Sequence, residues 1–262
     1  MSSPDTQQTD QQTESATPNL LQWIGLPQAE PPWSLLDAAL ALFALMVAMT
    51  IIATAIALNV SGTDASTTPP RDAFLLGWAV AGFITVAFVL IRWRRTPEMW
   101  QAMRMVSPRL GLPIVALMGV AAAFAIDLAV GTGNGAVQPV AIFYGLGSAS
   151  NQWLLAAVFA VVAQPVAEGL VFFGVLQARL RASFGAWPGY LLTIVLFTAY
   201  HALIFGAQLP DRAALWYGVV YPALVAAFLG AMRIRLGSTL AVIIAYAAMG
   251  ITTVLAGLAL IG

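Results

Sequence analysis

Cysteine is absent from this chain, lysine is absent too, and histidine occurs once, at His201. No cysteine means no disulfide framework and no thiolate metal site. One histidine without cysteine also excludes a zinc site built from those two residue types, because even catalytic zinc takes three protein ligands. No metal and no cofactor is therefore expected. Charge is scarce: 8% of residues are Asp, Glu, Lys or Arg, against about 25% in a soluble domain. The net charge is zero, which gives no sign of a nucleic-acid partner.

Apolar residues fill the gap, at 60% of the chain. That is enough for six to eight membrane spans of about 20 residues each. The expected fold class is all-α, a polytopic membrane helix bundle whose first partner is the lipid bilayer. Hydropathy places seven spans near 34–59, 73–93, 110–130, 152–178, 187–206, 213–232 and 238–261. The domain reading is a polar tail and lead-in over 1–33, followed by one membrane domain over 34–262. Residues 1–18 are rich in Gln, Thr and Ser and read as disordered. They lack the basic start and apolar core of a signal peptide. Residues 19–33, with Trp23 and Trp33 among prolines, read as an interfacial lead-in with tryptophan at headgroup level.

Arginines orient the bundle. Arg92, Arg94, Arg95, Arg104, Arg109, Arg179, Arg181, Arg233 and Arg235 fall in loops on one side of a seven-span chain, and only Arg71 and Arg212 on the other. The positive-inside rule then puts the N-terminus in the cytoplasm and the C-terminus outside. A chain without Lys and rich in Ala and Arg suits a high-GC prokaryote, hence a plasma (inner) membrane. In the loop after the second span, Thr96-Pro97-Glu98 reads as a helix start with proline at its first position. Met99, Trp100 and Met103 would share one face of that short helix. The loop 131–151 is glycine-rich, and its apolar stretch, Val140 to Leu146, is too short to span.

Inside the fourth and fifth spans lie the residues that carry chemistry. Glu168 is a carboxylate in an apolar run, where insertion costs roughly 2.5–3.5 kcal/mol. It lies about 13 residues, or about 20 Å, from Arg181, and His201 lies about 21 Å from Trp187 on the same side. Both therefore sit at one depth on antiparallel neighbours. Gln164 is one turn before Glu168 on the same face, Thr198 precedes His201 by three, and Pro165 kinks the fourth span. Such a polar cluster must face the bundle interior, since lipid cannot satisfy it. A Glu–His pair can activate and hold a water for peptide hydrolysis, or simply hydrogen-bond two spans together. Asp127, the other intramembrane acid, reads as reaching the outer interface, and Asp37 as a helix N-terminal charge. Gly169 and Gly174 read as close-packing positions.

Three motifs in order, over about 150–255, resemble the CPBP family of CAAX-protease and bacteriocin-processing (Abi) intramembrane endopeptidases. Pro165-Val-Ala-Glu168-Gly169-Leu-Val-Phe172-Phe173-Gly174-Val-Leu176 resembles P-x-x-E-E-x-x-F-R-G-x-L, and Phe197 to His201 resembles F-x-x-x-H. Tyr246 to Gly250 stands where the family has H-x-x-x-N/D/H, after a lead-in of Gly237-Ser238-Thr239-Leu240. The resemblance implies that Glu168 and His201 act on water. The departures are Gly169 for the second Glu, Phe173 for Arg, and Tyr246 and Gly250 for the third-motif His and Asn. Tyr246 keeps a hydroxyl donor; Gly250 keeps nothing. Three functions follow as expectations. The first is an intramembrane endopeptidase acting on a membrane-associated peptide, with Glu168 and His201 catalytic and Tyr246 and Gln164 in support. The second is a non-catalytic binding, immunity or scaffold protein with the same pocket. The third is a small transporter with a Glu–His proton relay.

Overall fold

A computed structural model describes residues 19–64, 66–135, 146, 149–206, 209 and 211–261, without the side chains of 211, 260 and 261. The described residues form helices and no strand. A lead-in helix α1 (Leu20–Gly25) precedes the first span. Seven helices are long and apolar enough to cross a membrane. They are α2 (Leu35–Ser61), α3 (Arg71–Trp93), α5 (Leu112–Asn134), α6 (Ser150–Phe184), α7 (Ala186–Ile204), α8 (Arg212–Leu236) and α9 (Thr239–Ile261). A short helix α4 (Pro97–Ala102) joins α3 to α5. The all-α, seven-span reading holds, and each helix meets its expected segment within a few residues at most ends. The chain is a multi-pass membrane protein. The polar tail 1–18 and most of the apolar stretch Val140 to Leu146 lie outside the described residues.

Exposed Leu36, Phe43, Ile51, Leu117, Phe124, Leu128 and Leu203 turn outward from several spans. In water such a belt would be an aggregation surface; in a bilayer it is the lipid-facing wall. The centre belongs to α6 and α9, whose most apolar windows are 61% and 67% buried inside the bundle. Helix α9 packs extensively against α6 and also against α5. Gly119 makes the approach possible, since a Cβ there would lie 2.2 Å from the carbonyl oxygen of Ala245.

Helix α6 continues through Pro165, and its helix type changes on both sides of that residue. Val158–Ala163 is π-helical, Gln164–Glu168 is α-helical, and Gly169–Leu176 is π-helical again. Proline has no N–H to give to the preceding turn, and the wider turns absorb the missing bond. Such wide turns gather at functional sites, and Glu168 sits at the boundary between two types.

The arginine-rich end is clamped rather than loose. The helix start at Thr96 is as the sequence reads: Thr96 Oγ1 accepts from the Met99 amide at 3.3 Å. Met103 is fully buried, so α4 docks on the core. Its carbonyl accepts from Thr239 Oγ1, the Arg104 carbonyl from the Thr239 amide at 3.0 Å, and the Val106 carbonyl from Ser238 Oγ. These bonds fix the start of α9, and with it the depth of Tyr246. Trp33 is buried inside the bundle, and its indole donates to the Val175 carbonyl at 3.3 Å. Arg181 ties α1 down by donating to the carbonyls of Ile24, Leu26 and Ala186 at 2.7–2.9 Å. Asp37 caps α2 from its first turn and pairs with Arg92.

Candidate functional site

The fold brings Glu168 on α6, His201 on α7 and Tyr246 on α9 together, with Gln164 one turn away from Glu168. Tyr246 donates its hydroxyl to Glu168 Oε2 at 2.8 Å. His201 Nε2 lies 3.4 Å from the same oxygen and 3.5 Å from the Tyr246 hydroxyl. Gln164 Nε2 is 3.3 Å from His201 Nε2. The other ring nitrogen, Nδ1, is 3.0 Å from the Phe197 carbonyl. A carbonyl only accepts, so Nδ1 carries a proton. In the neutral ring Nε2 is then the acceptor, and the Gln164 amide is its donor. Thr198 does not join, since its hydroxyl has no hydrogen-bond partner among the described residues.

Aromatic rings fix the imidazole from several sides. Phe197 stacks on it with centroids 4.2 Å apart, Tyr200 meets its edge at 5.1 Å and Phe205 lies at 5.4 Å. Sequence reasoning missed Tyr200. Its hydroxyl is within electrostatic reach of Glu168, and the only signal for it was its place beside His201. Glu168 Oε1 and the Tyr200 hydroxyl are both buried without a partner of hydrogen-bond geometry among the described residues. Among those residues no third His, Cys, Asp or Glu joins Glu168 and His201 to make a metal-holding set.

A cavity of about 60 Å³ opens beside this cluster, walled by Gln164, His201, Tyr246, Tyr217, Met249 and Thr253 among others. Glu168 is not part of that wall. Its side chain is 1% exposed, against 12% for His201. The carboxylate stands behind the tyrosine and the histidine.

The motif departures have structural consequences. A Cβ at Gly250 would lie 2.1 Å from the Ala160 carbonyl oxygen, and one at Gly169 would lie 2.6 Å from Ile243 Cγ1. Both distances are far inside contact range, so the helices have closed into the space a side chain would need. Gly174, by contrast, makes only an ordinary 3.4 Å contact. Phe173 is fully buried against Phe197, with ring centroids 5.8 Å apart. Its carbonyl accepts from Arg233 Nε at 3.2 Å.

Residues 150–252 match the family of type II CAAX prenyl endopeptidases described as Rce1-like. That agrees with the resemblance read from the three motifs, and it takes in Glu168, His201, Tyr246 and Gly250. No curated protein and no solved structure matches the chain. The Rce1-like segment comprises α6, α7, α8 and most of α9, so both central helices lie within it. The first three spans lie outside it and form the wall against which α6 and α9 pack.

Proposed function

We propose that this CAAX-protease-like membrane protein binds a membrane-associated peptide in the cavity beside His201 and does not cleave it. The observation that carries the reading is the position of Glu168 behind the cavity wall, capped by the Tyr246 hydroxyl. Hydrolysis needs a water that touches both the carboxylate and the imidazole. A water bonded to two atoms at about 2.8 Å with a near-tetrahedral angle holds them about 4.5 Å apart. Here the atoms are 3.4 Å apart, and the Tyr246 hydroxyl, donated to the carboxylate at 2.8 Å, stands 3.5 Å from Nε2 beside them. Two further positions support the same reading. Gly169 and Gly250 are packed where the family pattern has a carboxylate and an amide, and losing even one oxyanion donor costs about 10²–10³ in rate.

In this reading Glu168 and Tyr246 are positioning residues that hold His201 and Gln164 toward the cavity. The cavity wall then offers an imidazole edge, an amide and tyrosine hydroxyls to a peptide backbone, among apolar side chains. At about 60 Å³ the cavity is far smaller than a small-molecule pocket of about 300–1,000 Å³, so it takes one small group of the peptide while the rest lies outside it. The protein would sit in the plasma membrane with its N-terminus in the cytoplasm, as the arginine distribution supports.

A trapping experiment separates binding from cleavage. A photo-crosslinking residue replaces Tyr217, which faces the cavity, in the wild-type and Glu168→Gln backgrounds. A binding protein captures the same intact peptide at equal yield in both. A protease captures truncated product in the wild type and accumulates intact peptide in Glu168→Gln, and that outcome would sink the proposal.

A further inference from the structure

A second and larger cavity, of about 930 Å³, lies at the arginine-rich end, where the α4–α5 loop meets the end of α8 and the lead-in helix α1. Its polar wall is basic: Arg104, Arg109 and Arg235. Its apolar wall includes Met118, Phe228 and Met232. Among the described residues no Asp or Glu pairs with any of the three arginines, the arginine ion pairs being Arg92–Asp37 and Arg179–Glu30. Two buried arginines, Arg181 and Arg233, stand close enough to Arg104 to repel it. Arg109 and Arg235 are exposed and Arg104 is half-buried, so three guanidiniums gathered on one wall without a carboxylate are open to an anion.

Three details show that the site is built. Arg104 has φ 52°, the left-handed region, and is the sole non-glycine there among the described residues. That conformation persists only where surrounding bonds enforce it, and here the clamp of residues 103–106 to Ser238 and Thr239 does so. Arg235 is held by the Trp23 ring, 4.8 Å from its centroid. The Trp23 indole N–H, in the same wall, is buried without an acceptor.

The geometry points to a binding site for an anionic phospholipid, its phosphate held by Arg104, Arg109 and Arg235 and its acyl chains against Met118, Phe228 and Met232. Charge complementarity selects an anion, and the apolar wall at the membrane edge selects one that carries hydrocarbon. A volume near 930 Å³ is within the range of about 300–1,000 Å³ seen for small-molecule pockets, large enough for a headgroup and the upper chain. Basic pockets between spans on the cytoplasmic side are the general form of such sites. The site does not depend on the cavity beside His201, so either proposal can fail without the other.

The test is lipid retention by the full-length protein, purified in detergent and read by native mass spectrometry after incubation with phosphatidylglycerol or phosphatidylcholine. Phosphatidylglycerol is expected to be retained preferentially. Arg104→Gln, Arg109→Gln and Arg235→Gln together should lower that retention at least roughly tenfold. Arg94→Gln with Arg95→Gln, on the same end but outside the cavity wall, should leave it unchanged. Ala231→Trp keeps every arginine and fills the cavity; it should lower retention too, with a melting temperature showing that the fold survives. Inorganic phosphate at equal concentration should not displace the lipid. Equal retention of the two lipids, equal loss in the Arg94/Arg95 control, full retention in Ala231→Trp, or displacement by free phosphate would each overturn the proposal. Raised retention after deletion of residues 1–18 would also overturn it, showing that the acidic tail is the occupant.

Discussion

Tyr246 and Gly250 show how two substitutions one helical turn apart act in opposite ways. Tyr246 adds a hydroxyl that binds Glu168 at 2.8 Å and so removes the carboxylate from the cavity. Gly250 removes a side chain and lets α9 close on α6, with the Ala160 carbonyl 2.1 Å from a Cβ built there. Putting a family-type residue back at this position therefore does not repair the site. Gly250→Asn should lower stability by about 1–3 kcal/mol, the usual range for overpacking, and should produce no cleavage. A thermal melt in detergent checks the first part, and an unchanged melting temperature would contradict it. Glu168 and His201 were legible in the sequence because helix rise fixes their depth, and Tyr246 and Gly250 only through the resemblance to the family's third motif. The packed glycines were not, because Ile243 and Ala160 become neighbours of Gly169 and Gly250 only through the fold.

Helix α6 illustrates the same divide at the scale of an element. Its length and apolar character were plain from hydropathy, and Pro165 marked the place where its backbone must change. That the change is to π-helical turns on both sides, without a break, depends on packing from α3 and α9 that no local pattern encodes. Its arginine-rich end has a role the sequence concealed. Arg181 looked like a topology marker, yet its guanidinium holds three carbonyls at the end of α1 and the start of α7. Hydrogen bonds to a charged group contribute about 1.5–3 kcal/mol each at most, so Arg181→Gln should lower the melting temperature and expose the α1–α2 connection to protease. Arg179, which pairs with a largely exposed Glu30, is the control. Arg179→Gln should change stability by less than about 1 kcal/mol. Equal behaviour of the two variants would remove α1 from the bundle's anchored parts.

For the whole molecule, composition alone fixed the class: 60% apolar residues and 8% charged ones leave little but a membrane bundle. The two cavities were beyond reach, since their walls come from segments far apart in the chain. Orientation rests on the arginines, and the absence of cysteine makes it directly measurable. A single cysteine introduced at Ser107 should resist a membrane-impermeant thiol reagent in intact cells, and one at Thr67 should react. The reverse pattern would invert the topology.

The central claim is that a protease-like fold has kept its pocket and lost its chemistry, and cellular membrane-protein termini test it most directly. Termini are compared by mass spectrometry in strains carrying the wild-type gene, a deletion, and Glu168→Gln, which keeps shape and removes the carboxylate. The expected result is one set of termini in all three. A processed terminus present in the wild type and lost in both the deletion and the Glu168→Gln strain would contradict the account and make Glu168 a working base.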